Sequence, residues 1–183
     1  MIYRPEEITD KKGESCVFRS LKPEDADALI RFVEQGTQES PYFPWAPGET
    51  ELTAENAAEY ILNFENDRRR LLLGAFRDGR LLGLNELSDM GEWGKSMRHR
   101  SAVGGGLLKE AQGRGLGKKL TLAIAAAAKE IGYEQLEAAT ATDNEVSSAN
   151  LDSMGFQEYG MIPHKRKNDD GSYVDELRFD KWL

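Results

Sequence analysis

Gly113, Gly115 and Gly117 alternate with other residues in Gln112-Gly113-Arg114-Gly115-Leu116-Gly117-Lys118-Lys119-Leu120, just ahead of a run rich in alanine and leucine. Glycines at alternate positions remove Cβ atoms, so that backbone N–H groups can crowd a ligand and the chain can take positive φ. Where such a turn opens a helix, the first N–H groups lack intrahelical partners and the dipole contributes roughly half a positive charge, which suits a phosphate or diphosphate. Arg114, Lys118 and Lys119 are expected to add mobile positive charge beside it. Two familiar phosphate loops do not fit. A P-loop requires glycine where this chain has Gln112 and a hydroxyl residue where it has Lys119. A dinucleotide fingerprint requires G-x-G-x-x-G, and this turn reads G-x-G-x-G.

The elements that must hold this turn follow from patterning. Residues 1–13 read as a polar lead-in, and a strand near Ser15 to Leu21 follows. Pro23 with Glu24 and Asp25 marks a helix start, and Ala26, Leu29, Ile30 and Val33 keep helical spacing until Gly36. The segment from Glu39 to Gly48 holds three prolines with Tyr42, Phe43 and Trp45, so it is an irregular loop that packs over a core or walls a pocket. A second helix is predicted from Thr53 to Arg69, with Arg68-Arg69-Arg70 at its negative pole. Asp78-Gly79 between two apolar runs predicts a hairpin of Leu71–Phe76 with Leu81–Leu87. A strand from Arg98 to Leu108 leads into the glycine turn, with Trp93 as a packing residue in the loop before it. Beyond the turn comes a helix apolar nearly all round, hence buried. A strand at 135–142, a short helix at 147–154 capped by Gly155, a strand at 156–162, a turn at Asp169-Asp170-Gly171 and a last strand at 173–179 complete the chain.

With 183 residues and 39% hydrophobic content, the chain suits one domain with a sizeable core. No apolar run approaches the roughly 20 residues of a membrane span, and the first residues lack the apolar core of a signal peptide, so a cytoplasmic protein without a membrane partner is expected. The lone Cys16 allows no internal disulfide and reads as a small core residue. His99 and His164 are too sparse for a metal site. A net charge of −8 argues against a nucleic-acid partner and favours a cationic acceptor. The oligomeric state, including a homodimer, is left open.

The motif Gln112-Gly113-Arg114-Gly115-Leu116-Gly117 resembles the acetyl-CoA signature of the GNAT acyltransferase superfamily, and the element order β-α-α-β-β-β-α-β-α-β-β is similar to that of the same family. Arg98-His99-Arg100-Ser101, Leu108-Lys109-Glu110, Asn144 through Ser147 to Met154-Gly155-Phe156, and Asp170 to Glu176 resemble the branch that contains the ribosomal-protein N-terminal acetyltransferases. The resemblance implies an α/β (α+β) fold with a mixed sheet of about six to seven strands, splayed in a V at the cofactor site and flanked by about four helices. It implies acetyl-CoA in that V, with Leu107, Leu108 and Lys109 along the pantetheine arm. Gln112, Gly113, Arg114, Gly115, Leu116, Gly117 and Lys118 would then lie at the pyrophosphate, and Asn144 and Ser147 at the opposite side of the arm. Glycine weakens a central strand and often marks a bulge or a close approach, so Gly104-Gly105-Gly106 would set the thioester carbonyl beside the Leu107 N–H, a donor for an oxyanion.

The implied reaction is direct attack of a primary amine, from a small molecule or a peptide N-terminus. Losing the amine proton near neutral pH costs about 4 kcal/mol for a lysine-like amine and under about 1 kcal/mol for an α-amine. The family's usual acid–base pair is missing: Ala102 stands where relatives often carry Glu, and Leu151 where many carry Tyr. Glu86 on the neighbouring strand, His99 and Tyr159 are the replacements the sequence offers. A non-catalytic acetyl-CoA-binding module is the other reading.

Overall fold

The computed structural model describes residues 1–91, 94–168 and 170–183; the expectation for Trp93 and the first residue of the turn at 169 lie outside them. The strands are β1 (Glu6–Thr9), β2 (Ser15–Ser20), β3 (Leu71–Arg77), β4 (Arg80–Asp89), β5 (Arg100–Leu107), β6 (Gln135–Ala141), β7 (Gln157–Lys167) and β8 (Tyr173–Trp182). The helices are α1 (Ala26–Glu39), α2 (Ala54–Glu65), α3 (Leu116–Ile131) and α4 (Glu145–Ser153). All strands join one sheet in the order β1-β2-β3-β4-β5-β6-β8-β7. Its only parallel pair among the described residues is β5 with β6, the pair bridged by α3. The mixed α/β fold and the four α-helices among the described residues are as expected. β1 is the added strand: Glu6–Thr9 pairs with Ser15–Phe18 although it carries little apolar signal, because main-chain bonds to a neighbour suffice for an edge strand.

Several boundaries move for local reasons. Asp78 and Gly79 both take positive φ, as a two-residue hairpin of this hand requires. Thr53 caps α2 reciprocally with Asn56, but the helix ends at Glu65, so the three arginines lie beyond it rather than on its last turn. Arg69 instead pairs with Asp89 at 2.8 Å, and Arg70 lies over the Phe64 ring. Helix α1 runs through Gly36, where a Cβ would fall 2.2 Å from the Phe43 ring. That glycine makes room for an aromatic and does not stop the helix. Helix α3 is not buried all round, since Leu122 is 42% exposed.

Two apolar layers enclose the sheet. Leu116, Leu120 and Ile124 of α3 pack with Leu71, Leu73, Leu136 and Phe179 on one face, and Cys16 belongs to this core, where burial pushes its thiol up. Leu29, Phe32 and Val33 of α1 pack with Ala57, Ile61 and Phe64 of α2 and with Leu72 and Leu81 on the other. No helix among the described residues is long and apolar enough to cross a membrane.

The glycine triplet keeps an unbroken register with β4, from Glu86 opposite Gly104 to Gly83 opposite Leu107, and no bulge interrupts it. The close approach is to β4: a Cβ on Gly105 would lie 2.0 Å from the Leu84 carbonyl oxygen, whereas one on Gly104 would meet nothing within 4 Å. Gly105→Ala is therefore expected to lose about 1–3 kcal/mol of stability. Gly104→Ala should lose less than about 1 kcal/mol, as read by urea unfolding of both variants.

Candidate active site

Strands β5 and β6 pair from Arg100 with Gln135 to Val103 with Ala138 and then part. Beyond Val103, β5 stays on β4 as far as Leu107, while β6 continues against β8 as far as Ala141. The result is a V whose walls are residues 104–107 and 139–141. Main-chain groups alternate along a strand, and two bonds fix the phase here. The Leu108 N–H donates to the Leu82 carbonyl at 2.9 Å and the Arg100 carbonyl accepts from Met90, so even-numbered residues of β5 face β4. The His99 carbonyl accepts from Glu134 and Gln135 on the opposite side, so odd-numbered residues face β6. Past Val103 this leaves the N–H and C=O groups of Gly105 and Leu107 pointing into the V. The sequence offers Gly105 only as the middle of the glycine triplet; that its own N–H and C=O enter the V shows only once the ladder is known. Leu108, buried and bonded to Leu82, has no free N–H, and the Lys109 N–H is taken by the Glu39 carboxylate at 2.6 Å. Burial opposes ionisation of Glu39, but bonds from Gln35 and Lys109 prevail and lower its pKa.

At the wide end of the V, the Gln112 side chain donates to the Leu107 carbonyl at 3.2 Å. The N–H groups of Gly113, Arg114, Gly115, Leu116, Gly117 and Lys118 have no acceptor among the described residues, and Lys119 makes the first bond of α3, to Gly115. Gly113 and Gly115 take φ of +68° and +79°. Six free donors around a left-handed turn at a helix start form an anion cradle. The donor set suits the diphosphate of coenzyme A, and the V beside it leaves main-chain groups for the amides of its arm.

The cationic side chains are less mobile than expected. Arg114 is 7% exposed, bonded through Nε to Asp10 at 2.6 Å and close to Glu14 at 2.5 Å. Arg77 reaches the same two carboxylates, and Lys11 donates its N–H to the Arg114 carbonyl at 3.0 Å. Arg114 thus ties the glycine turn to the β1–β2 turn, and what it offers the cradle is its N–H. Lys119 donates to the Thr9 carbonyl, and Lys118 to the Ser153 hydroxyl and carbonyl on α4. Across the V, Asn144 caps α4 by accepting from the Ser147 N–H at 3.2 Å, while Leu151 is a buried core residue.

The three acid–base candidates separate in space. His99 precedes β5 at its closed end, about 13 Å along the strand from where the V opens, and is not gathered with the others. Glu86 faces the open side of the sheet, bonded by Tyr60 at 2.7 Å and by Ser88, with Arg70 at 3.8 Å. Burial and then Glu86 push the Tyr60 hydroxyl up. Tyr159 donates to Glu137 on β6 at 3.1 Å, and Arg100 holds the other oxygen of that carboxylate. Glu137 is the residue the sequence reading missed; its signal is the single charge in Gln135-Leu136-Glu137-Ala138-Ala139-Thr140-Ala141.

Over the open face hangs the aromatic loop. Phe43 packs on Phe32 at 5.6 Å and lies over Gly106, where an added Cβ would meet its ring at 3.3 Å, so it is both packing and wall. Tyr42 donates to the Asp143 carbonyl at 3.0 Å and Arg166 of β7 donates to the Pro41 carbonyl, so the loop bridges from α1 to the far side of the V.

The acetyltransferase (GNAT) domain model matches residues 16–157, a span that includes both strands of the V, the glycine turn and α3. The chain belongs to the GNAT acetyltransferase family. It superimposes on an acetyltransferase of the GNAT family from Streptococcus pneumoniae with a TM-score of 0.85 at 20% identity, over 92% of this chain and 99% of that one. The ribosomal-protein-alanine N-acetyltransferase of Brucella melitensis gives 0.79 at 25% identity, over 91% and 99%. The yncA protein of Salmonella typhimurium, solved with its cofactor acetyl-CoA, gives 0.79 at 17%, over 93% and 95%. This GNAT protein is accordingly an acetyl-CoA-dependent N-acetyltransferase.

The Asp10 network yields a test. Burial alone would raise the Asp10 carboxyl, but the Arg114 guanidinium, the Glu14 and Lys12 N–H groups and Arg77 outweigh it and hold it well below the usual carboxylate range. A depressed folded pKa contributes stability above the unfolded value of about 4 and loses it as pH falls towards the folded one. Asp10→Asn should therefore lower Tm near about pH 7 and shrink the drop in Tm between about pH 7 and about pH 3, relative to the unmodified protein.

Proposed function

We propose that this GNAT protein transfers acetyl from acetyl-CoA to a primary amine, with the α-amine of a peptide N-terminus as the favoured acceptor and a small-molecule amine as the alternative, the whole chain forming one catalytic domain. The observation that carries the reading is the continuity of free main-chain groups, from the six N–H groups of residues 113–118 to Gly105 and Leu107 inside the V. In it the glycine turn receives the diphosphate and Gly105 and Leu107 bond the arm. Gln112 fixes the Leu107 carbonyl, and Asn144 and Ser147 border the arm from α4. The Leu107 N–H is then the donor for the oxygen that gains charge as the amine adds to the thioester.

An α-amine suits a site without the usual base, because it is already partly neutral near physiological pH. The acceptor of the Brucella protein, ribosomal-protein alanine by its description, is of this kind. The acceptor approaches on the face that carries α1 and α2, beneath Tyr42 and Phe43, where Glu86 stands opposite Gly104.

Calorimetry with acetyl-CoA tests the cradle: the unmodified protein should bind it, and Gly115→Val, with φ of +79° and Lys11 3.1 Å from the new Cβ, should abolish uptake. Unchanged uptake would refute the assignment of residues 113–118. Thiol release across N-terminal peptides, polyamines, amino acids and aminoglycosides tests the acceptor. Peptides with a free α-amine should give the highest kcat/KM, and turnover confined to another class would overturn that choice.

A further inference from the structure

Leu177 and Phe179 of β8 pack into the core beneath α3, so Val174, Glu176 and Arg178 stand on the opposite face of the sheet, the one carrying α1 and α2. Arg166 of β7 pairs with Val174 and shares that face. Neighbouring arginines have partners: Arg100 holds Glu137, Arg178 lies 2.9 Å from Glu176, and Arg70 lies 3.8 Å from Glu86. Arg166 has no carboxylate at ion-pair distance among the described residues. Its Nη1 donates to the Pro41 carbonyl, its Nε is sheltered from solvent without an acceptor, and its Nη2 is neither bonded nor enclosed.

The register of β7 breaks between Ile162 and Arg166, where His164 takes φ of +53° and its N–H is held by the Asp175 carboxylate at 2.7 Å. Such an irregularity re-aims the side chains that follow it. Arg166 accordingly reaches the aromatic loop, at the Pro41 carbonyl and 5.8 Å from the Tyr42 ring, while Tyr42 itself donates to Asp143 just past β6. The guanidinium thus stands where the loop crosses to the far rim of the V. Val103 pairs with Ala138 and Ala141 with Glu176, so, counted along the strands, Val174 and Arg166 come within one residue, about 3 Å, of the level of Leu107. Between them and the V the same face presents only Ala139 and Ala141, too short to fill the interval.

We propose that Arg166 sets acceptor specificity, its Nη2 donating to the carboxylate of an acidic residue at the second or third position of the acceptor peptide. The proposal rests on the peptide reading above. An amine at the thioester is followed by one or two residues of extended chain, at about 3.4 Å each, which cross Ala139 and Ala141 before a side chain meets the guanidinium. The stretch His164-Lys165-Arg166-Lys167 makes this rim positive although the chain carries −8 overall. Net charge acts on encounter and is screened beyond about 8 Å at physiological ionic strength, so the local cation decides the contact. A lysine at the same peptide position would bring a like charge to a half-buried guanidinium, and the site selects against it.

The test uses the full chain, acetyl-CoA and peptides with a free α-amine that differ only in carrying Glu, Gln or Lys at the second or the third position. With the unmodified protein the better-placed Glu should give a kcat/KM about tenfold or more above Gln, the gain expected for a hydrogen bond between charged groups, and Lys should give the lowest. Arg166→Gln should bring the Glu-to-Gln ratio close to one with acetyl-CoA affinity unchanged by calorimetry. Arg166→Lys should keep part of the preference, and Arg166→Glu should reverse it in favour of Lys. Equal kcat/KM for the three peptides with the unmodified protein would overturn the proposal. So would variants that lose activity equally on every peptide and leave the ratios as they were, which marks Arg166 as a support for the loop at Pro41 alone. Thiol release with no peptide at all would instead refute the peptide reading beneath it.

Discussion

The parting of β5 from β6 after Val103 is the constraint on which the rest depends. Main-chain N–H and C=O groups inside a fold must find partners, and two strands that separate in mid-sheet leave theirs unpaired. Here the outer flanks compensate, since β4 stays on β5 to Leu107 and β8 stays on β6 to Ala141. The gap is therefore a stable feature, lined on one side by polar groups of fixed direction. An extended ligand with its own amides can complete it as a strand would.

Holding the anion cradle at the mouth of this gap falls to a charge network remote in sequence. Asp10 carries no exposed side-chain surface and binds two arginines, one of them in the middle of the glycine turn. A turn stripped of Cβ atoms gains access to a ligand and loses the packing that would fix its shape. The Asp10–Arg114 bond and the Lys11 N–H on the Arg114 carbonyl restore that fixity from the β1–β2 side. Lys118 ties the same turn to α4, so both sides of the cradle are anchored before any ligand arrives.

The acceptor side follows a different logic. Glu39, Glu86 and Glu137 are each already bonded, to a backbone N–H and Gln35, to Tyr60 and Ser88, and to Arg100 and Tyr159. A chain of net charge −8 so presents carboxylates of fixed geometry on this face, and the aromatic loop closes over them through Phe43 and Tyr42.

Local chemistry made the glycine turn, the Asp-Gly hairpin, the Thr53 cap and the periodic stripe of α3 legible from residue types alone, since each depends on neighbours a few positions away. The resemblance carried by Gln112 to Gly117 likewise fixed the family and its cofactor. Only the folded chain decided that Arg114 is buried against Asp10, that Glu39 occupies the Lys109 N–H, that His99 lies at the closed end of β5, and that Glu137 meets Arg100 and Tyr159. These depend on register and on contacts between residues 22 to 104 positions apart, which periodicity does not encode. A one-residue slip of β6 would turn Glu137 into the core and leave the sequence pattern almost as it was.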